Sequence, residues 1–476
     1  MTDAFATTPA DRSASFLLGR KLDSIPFSLY HLQLILVLGA VGFVEGYDLA
    51  LGGSLLVLAK EPLQLTAEQI RWLAVAPTLL VVVGAFFAAG ALSDRVSRKT
   101  VMQIGVISST ALTLLIPLAQ SGTQLVIIRV LTGFGIGFAL SAPFPIAAEL
   151  MPAQHRRTYG AIYEVMLASA FTLLPFVGFV LAGNPIGFRL IALPGGLALG
   201  IVPLLVHFGL PESPRWFLSR GNPQAAVDTV NRIVARAGGR VPPLTLAELG
   251  SALFATREKL PPFTALFRPG QLRWTVVGIL CSTAASTAYY CSAILLPKAL
   301  IDQGAAVSLS FGLSTLLFMV TIPGKFFTGF IMEIIGRRWT ITYCLAGAIP
   351  GLALMGFAHR TGSYATVAMS AGAIITGLTV LSSFTAVRVY LSEQFPTALR
   401  GRGHFFGEAT ARLFAGVLAP FLLEPYTHSA TIFFGTIAAV VAVGACVPLM
   451  FGKETIGQLE TVTETAAKPA HVRAAA

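Results

Sequence analysis

The stretch "HLQLILVLGAVGFVEGYDLALGGSLLVLA", residues 31–59, is long enough as a helix to cross the hydrocarbon layer of a bilayer, which takes about 20 apolar residues. Its middle nevertheless holds two carboxylates, Glu45 and Asp48. An ionised group at mid-helix costs at least about 2.5–3.5 kcal/mol in such a setting, so each is expected to face a partner or a wet cavity.

Working outward, the same texture recurs through the chain. Of 476 residues, 55% are hydrophobic and 12% charged, against roughly 25% charged in soluble domains. Apolar runs near 30–58, 72–93, 101–120, 124–149, 159–182, 188–210, 272–300, 309–333, 339–359, 363–392, 404–424 and 428–450 predict twelve transmembrane helices, here called spans 1 to 12. The fold class expected is an all-α polytopic membrane protein. The first 29 residues are polar and lack a short apolar core followed by a small-residue cleavage site, so span 1 is expected to be retained rather than removed as a leader.

The net charge of +11 is explained by topology without nucleic acid. With the N-terminus inside, only Lys60, Arg71, Arg189, Lys298 and Arg360 fall on outer segments, and the short-loop bases favour the cytoplasmic side. Both termini are expected in the cytoplasm, the protein in the cytoplasmic membrane, and anionic lipid headgroups are the partner expected for the basic surplus. The four cysteines, Cys281, Cys291, Cys344 and Cys446, lie in apolar runs without metal-ligand spacing and are expected as small buried hydrophobes. No cofactor or metal site is expected.

An internal repeat divides the chain. "GALSDRVSRK" (90–99) follows span 2 and "GFIMEIIGRR" (329–338) follows span 8; each sets a glycine, an acid four residues on and a base four further. "GFGIGFALSAPFPIAAELMPAQHRR" (133–157) is echoed by "GLTVLSSFTAVRVYLSEQFPTALRG" (377–401), aligning Glu149 with Glu393 and Arg156 with Arg400. Two pseudo-symmetric six-helix halves are expected, 30–210 and 272–452, with a cytoplasmic segment 1–29, a polar linker 211–271 and a tail 453–476. Within the linker, "PQAAVDTVNRIVARA" (223–237) predicts a short surface helix beginning with proline.

Taken together, the loop motif around Gly90, Asp94, Arg95, Arg98 and Lys99, its copy around Glu333, "RVLTGFGIG" (129–137) and "PESPRW" (211–216) resemble the major facilitator superfamily over about residues 30–452. "PESPRW" is similar to the sugar-porter and organic-ion branches. "EGYD" (45–48) and "AYY" with "LLP" (288–297) are similar to the metabolite and aromatic-acid proton symporters. Ser97 stands where the family has glycine, and Glu45 where the acid symporters have aspartate.

The resemblance implies alternating access of two halves about a central cavity lined by spans 1, 4, 7 and 10. It also implies a gate of ion pairs involving Asp94, Arg98, Glu212, Arg215, Glu333 and Arg337. Position alone adds Glu149, Arg156, Glu393 and Arg400, which sit at one depth at the span ends; topogenic and headgroup-contacting charge is the alternative. Arg388, Glu408 and Arg412, with Lys325, lie deeper and read as part of the same gate network, Glu408 and Arg412 having the spacing of a helical ion pair.

Depth counting at 1.5 Å per residue places Glu45 at roughly 22 Å, Asp48 at roughly 27 Å and Arg129 at roughly 31 Å from the same membrane edge. All three are therefore expected to meet, Glu45 and Asp48 as proton-coupling groups and Arg129 as a fork for a substrate carboxylate. A substrate anion competing for Arg129 would leave the acids readier to take a proton, which links the two movements. A purely structural pairing of Asp48 with Arg129 is the alternative.

Spans 5, 7, 8, 10 and 11 contain no Asn or Gln, which disfavours a sugar. The spans as a whole offer aromatic faces instead; Tyr47, Phe134, Tyr289 and Tyr290 are the candidates for substrate contact. The expectation is proton-coupled uptake of a small organic anion such as an aromatic carboxylate, by a monomer. An organic cation held by Glu45 and the aromatics is the runner-up, and a non-transporting sensor a remote one. No cluster of nucleophile, base and acid points to an enzyme.

Overall fold

The computed structural model describes residues 14–88, 96–140, 142–152, 156–250, 263–395 and 397–455, and all regular structure among them is helical. Eleven helices are long and apolar enough to cross a membrane: Leu29–Leu58, Ala67–Phe87, Arg98–Leu118, Gly122–Ala147, Tyr159–Val180, Gly187–Gly209, Pro269–Ile294, Val307–Ile334, Arg337–Arg360, Arg402–Tyr426 and Ala430–Phe451. They correspond to spans 1 to 9, 11 and 12. Span 10 departs from the single run expected. It forms two helices, Ala365–Leu378 and Phe384–Glu393, around a turn at 379–383. There Ser382 Oγ donates to the Gly377 carbonyl at 2.8 Å and Ser383 Oγ to that of Val380 at 2.6 Å, so hydroxyls take carbonyls that a continuous helix would use. In span 4 the described helices are Gly122–Leu140 and Pro143–Leu150, the second opening on Pro143.

Two compact units share the chain. The described residues of Met1–Lys259 with Ala306–Thr315 make up the first, and those of Leu260–Ala305 with Leu316–Ala476 the second. In the first unit, "RVLTGFGIG" sets Gly133 and Gly137 one turn apart on the face of span 4 that meets span 2. A Cβ built on Gly133 would lie 2.1 Å from the Pro77 carbonyl oxygen, and one on Gly137 2.3 Å from that of Val81. Only hydrogen fits there, and this close approach of two backbones fixes the height and rotation of span 4, and with them the position of Arg129 one turn earlier. Ser97, the departure from the family's glycine, caps span 3: its Oγ accepts from the Thr100 amide at 3.1 Å.

The linker helix Pro223–Arg236 begins with proline as expected, capped by Asn222, whose side chain accepts from the Ala225 amide at 3.0 Å. It is not merely superficial. Val230 and Ile233 are buried in one core with Leu18 and Leu22 of the helix Ala14–Asp23 and with Leu34 and Leu38 of span 1. In the second unit, Phe326, Phe327 and Phe330 of span 8 are all exposed, a surface suited to lipid and not to water. Cys281 and Cys291 are buried and Cys344 half-buried, whereas Cys446 is exposed, contrary to the expectation of four buried thiols.

Candidate functional site

Asp48 and Arg129, placed at matching depth by counting residues, are in contact. Arg129 Nη2 donates to the main-chain carbonyl of Asp48 at 2.5 Å, and Nη1 lies 3.5 Å from Oδ1 of its carboxylate. Thr113 of span 3 donates to the same Oδ1 at 2.7 Å. Arg129 is 1% exposed and Asp48 2%. A buried ion costs several kcal/mol unless its attractions are well placed, so three spans share the work of stabilising this pair. Among the described residues, Asp48 Oδ2 and Arg129 Nε have no hydrogen-bond partner. The carboxylate therefore keeps one buried oxygen where a proton can reside.

Glu45, one helical turn earlier, is also buried, and its Oε2 accepts from the Tyr163 hydroxyl of span 5 at 2.7 Å. The two acids of span 1 thus engage different neighbours, Glu45 reaching span 5 while Asp48 reaches spans 3 and 4. Tyr47 points elsewhere again. Its hydroxyl donates to the Ile191 carbonyl, and its ring packs where a Cβ on Gly195 would stand 2.7 Å away. That is a packing role at the start of span 6, since consecutive helical residues diverge by about 100°. Half-buried Phe134 lies with Phe138 (centroids 4.9 Å apart) and Phe87 (6.1 Å) on the span 2 side.

In the second unit, Tyr289 and Tyr290 are both buried, with ring centroids 6.3 Å apart. Tyr289 lies 5.2 Å from Phe384 and carries Lys325 Nζ 5.9 Å from its ring centroid. Arg388 stands over Phe384 at 4.8 Å. Beyond it, Arg388 Nε and Arg412 Nε lie 3.7 and 3.8 Å from one oxygen of Glu408. Half-buried His404 is acted on electrostatically by all three. A π-helical segment, Leu413–Leu418, follows Arg412 directly. A lone histidine near a span end carries no signal of such a position, so His404 is not legible from the sequence.

The repeated loop charges pair inside each unit. In the first, Arg98 bridges to Glu149, which also accepts from Ser213 Oγ at 2.6 Å. Glu212 receives the Ser213 amide at 3.1 Å, and Arg215 is exposed. In the second, Arg337 Nε lies 3.3 Å from Glu393 and its Nη2 3.3 Å from Glu333. Thr455 Oγ1 donates to Glu393 at 2.5 Å. Glu454 caps span 9 by accepting from the amides of Arg337 and Arg338 at 2.9 and 3.2 Å. Gly336, at φ +93°, makes that possible, since a Cβ there would sit 2.3 Å from the Glu454 carboxylate. Asp94 and the side chains of Arg156 and Arg400 lie outside the described residues.

Against known proteins, a family model described as Major Facilitator Superfamily matches residues 38–420. The chain belongs to the Major Facilitator Superfamily. It is 24% identical over 462 residues to the niacin transporter NiaP of Acinetobacter baylyi, covering 93% of this chain and 98% of that one. It is also 24% identical over 455 residues to the inner membrane metabolite transport protein YgcS of Escherichia coli, covering 91% and 94%. Among solved structures, a partially occluded inward-open form of the xylose transporter XylE from E. coli superposes with a TM-score of 0.71 at 18% identity, over 90% of this chain and 99% of that one. At that identity the likeness concerns the fold. This superfamily member is a multi-pass integral membrane transporter of small molecules and not an enzyme.

Proposed function

We propose that the protein is a proton-coupled symporter of a small organic anion, such as an aromatic carboxylate, working by alternating access. The observation that carries this reading is the Asp48 carboxylate: buried, held through one oxygen by Thr113 and Arg129, with the other oxygen unpartnered among the described residues. Protonation there removes a charge from the pair, and an anion drawn toward the guanidinium makes protonation easier. Proton and substrate then favour each other's binding, which is the linkage that symport requires. The set Lys325, Tyr289, Phe384 and Arg388 supports an aromatic acid, since it places two adjoining rings between two cationic groups. The likeness to a protein named for niacin, a pyridine carboxylate, points the same way. The paired loop charges Arg98 with Glu149 and Arg337 with Glu393 are read as parts of the gate.

The deciding experiment is uptake into proteoliposomes of labelled nicotinate, benzoate, a quaternary amine and a hexose, with and without an imposed pH gradient. Aromatic acid accumulation that collapses when the gradient is abolished is the expected result. Gradient-independent uptake, or preference for the amine, overturns the reading.

A further inference from the structure

An open groove of about 430 Å³ in the first unit, about four turns along span 1 from Asp48, is bounded by Leu29, Tyr30 and Gln33 at the start of span 1, Phe208 at the end of span 6 and Arg236 at the end of the linker helix. Its composition is amphiphilic. Arg236 places its guanidinium carbon 5.6 Å from the centroid of the Tyr30 ring. Arg232, one turn back on the same helix face, also acts electrostatically on the Tyr30 hydroxyl. Among the described residues, no carboxylate lines the groove. Tyr30 is 6% exposed, and its buried hydroxyl has no hydrogen-bond partner among the described residues. The Arg236 guanidinium acts on this hydroxyl, so the two form one polar site at the edge of the groove.

The other walls are apolar and open: Leu29 is 84% exposed and Phe208 73%. Both stand at ends of helices that cross the membrane, so this surface lies where hydrocarbon gives way to headgroups. Lys99 fixes the end of span 6 here, donating to the carbonyls of His207 at 2.8 Å and Leu210 at 2.6 Å, on either side of Phe208.

We propose that this groove binds an anionic phospholipid, the headgroup phosphate accepting from Arg236 and the Tyr30 hydroxyl and an acyl chain lying along Leu29 and Phe208. A soluble anion would satisfy the cation and the hydroxyl but leave the two large apolar side chains uncovered; a zwitterionic lipid would cover them while bringing its own cation to Arg236. An anionic lipid satisfies both requirements. It would tie the linker helix to span 1, whichever solute the transporter carries.

The test uses the full-length protein in detergent, with phosphatidylglycerol binding read by native mass spectrometry and by the thermal shift it produces. Wild-type protein is expected to bind phosphatidylglycerol more tightly than phosphatidylcholine. Arg236→Gln is expected to weaken it about fivefold, the worth of one basic residue near an anionic surface. Tyr30→Phe, which keeps the ring and so the fold, should also weaken it. Arg273→Gln, an arginine over Trp274 in the second unit, should leave it unchanged. Equal binding of the two lipids, equal loss in the Arg236→Gln and Arg273→Gln variants, or an equal thermal shift from inorganic phosphate alone would each overturn the proposal, the last in favour of a soluble anion.

Discussion

Arg129 grips Asp48 twice, through the main-chain carbonyl at 2.5 Å and through the carboxylate at 3.5 Å, so span 4 is fastened to span 1 by backbone and side chain together. The backbone contact survives protonation of the carboxylate, and the side-chain contact, already at the limit of a hydrogen bond, is the one that changes. Under the proposed symport, a proton on Asp48 would alter the charge of the pair without separating the helices.

Asp48→Asn tests that division. The amide keeps acceptors for Thr113 and leaves the backbone contact, so the protein should fold and exchange substrate across the membrane. Gradient-driven accumulation should fall to the equilibrium ratio. Persistent accumulation in proteoliposomes would remove Asp48 from the coupling role. Arg129→Gln alone, by contrast, strands a buried carboxylate and should cost about 3–5 kcal/mol of stability. If the double variant Asp48→Asn with Arg129→Gln recovers both stability and accumulation, the pair is only structural.

Tyr163→Phe removes the hydroxyl that donates to Glu45 at 2.7 Å and nothing else. A hydrogen bond to a charged group contributes roughly 1.5–3 kcal/mol, so thermal unfolding should show a loss in that range. Combining it with Glu45→Gln should cost less than the sum of the two single changes, because one interaction is being removed twice. Strict additivity in the cycle would show that the two side chains do not depend on each other.

These partnerships show unevenly in the sequence. The meeting of Asp48 with Arg129 was readable because helix rise is fixed and the cost of a lone charge in hydrocarbon is large. The separation of Glu45 onto Tyr163 was not, since a single tyrosine in an apolar run is indistinguishable from core until its neighbour is known. Thr113 is hidden for the same reason. Tyr47 misled because its hydroxyl needs a partner somewhere, and composition cannot say that the partner is the Ile191 carbonyl. The break in span 10 lies in "TVLSS" (379–383), which is apolar enough to pass as helix; the hydroxyl bonds that open it appear only in three dimensions. The repeat, by contrast, rests on acids and bases at fixed spacing, and those loops do pair as Arg98 with Glu149 and Arg337 with Glu393.

Those two pairs are equivalent in the repeat but not in surroundings. Arg98 is 39% exposed, while Arg337 and Glu393 are each 8% exposed. Solvent reaches the cation of the first pair, although Glu149 is itself 9% exposed, so Arg98→Gln should cost less than Arg337→Gln, which takes a buried cation from a buried carboxylate and should cost about 3 kcal/mol or more. Thermal unfolding of the two variants side by side checks the order, and equal losses would contradict it.

Gly336 and Glu454 form one device. Gly336→Ala places a methyl group in the path of the carboxylate and strains a residue at φ +93°, so a loss of about 1–3 kcal/mol is expected. Glu454→Ala should cost about 1 kcal/mol through the lost cap. In the double variant the methyl group meets no carboxylate, so the combined loss should fall below the sum. A full sum would mean that backbone strain alone, and not the clash, accounts for the glycine.

The stacked array in the second unit makes the sharpest claim about substrate. If the ring of an aromatic acid packs beside Phe384, a flat guanidinium is needed at Arg388 to lie on a ring face, as it lies 4.8 Å from that of Phe384. Lysine keeps the charge but not that flatness. Arg388→Lys should then raise KM for an aromatic acid roughly tenfold, about 1.4 kcal/mol, with a smaller effect on kcat. Phe384→Leu keeps the volume apolar and should raise KM for aromatic acids more than for aliphatic ones, since stacking contributes about 0.5–1.5 kcal/mol. Initial uptake rates for benzoate and a short aliphatic acid measure both effects. Unchanged KM values in Arg388→Lys, or equal changes for the two acids in Phe384→Leu, would place the ring elsewhere in the transporter.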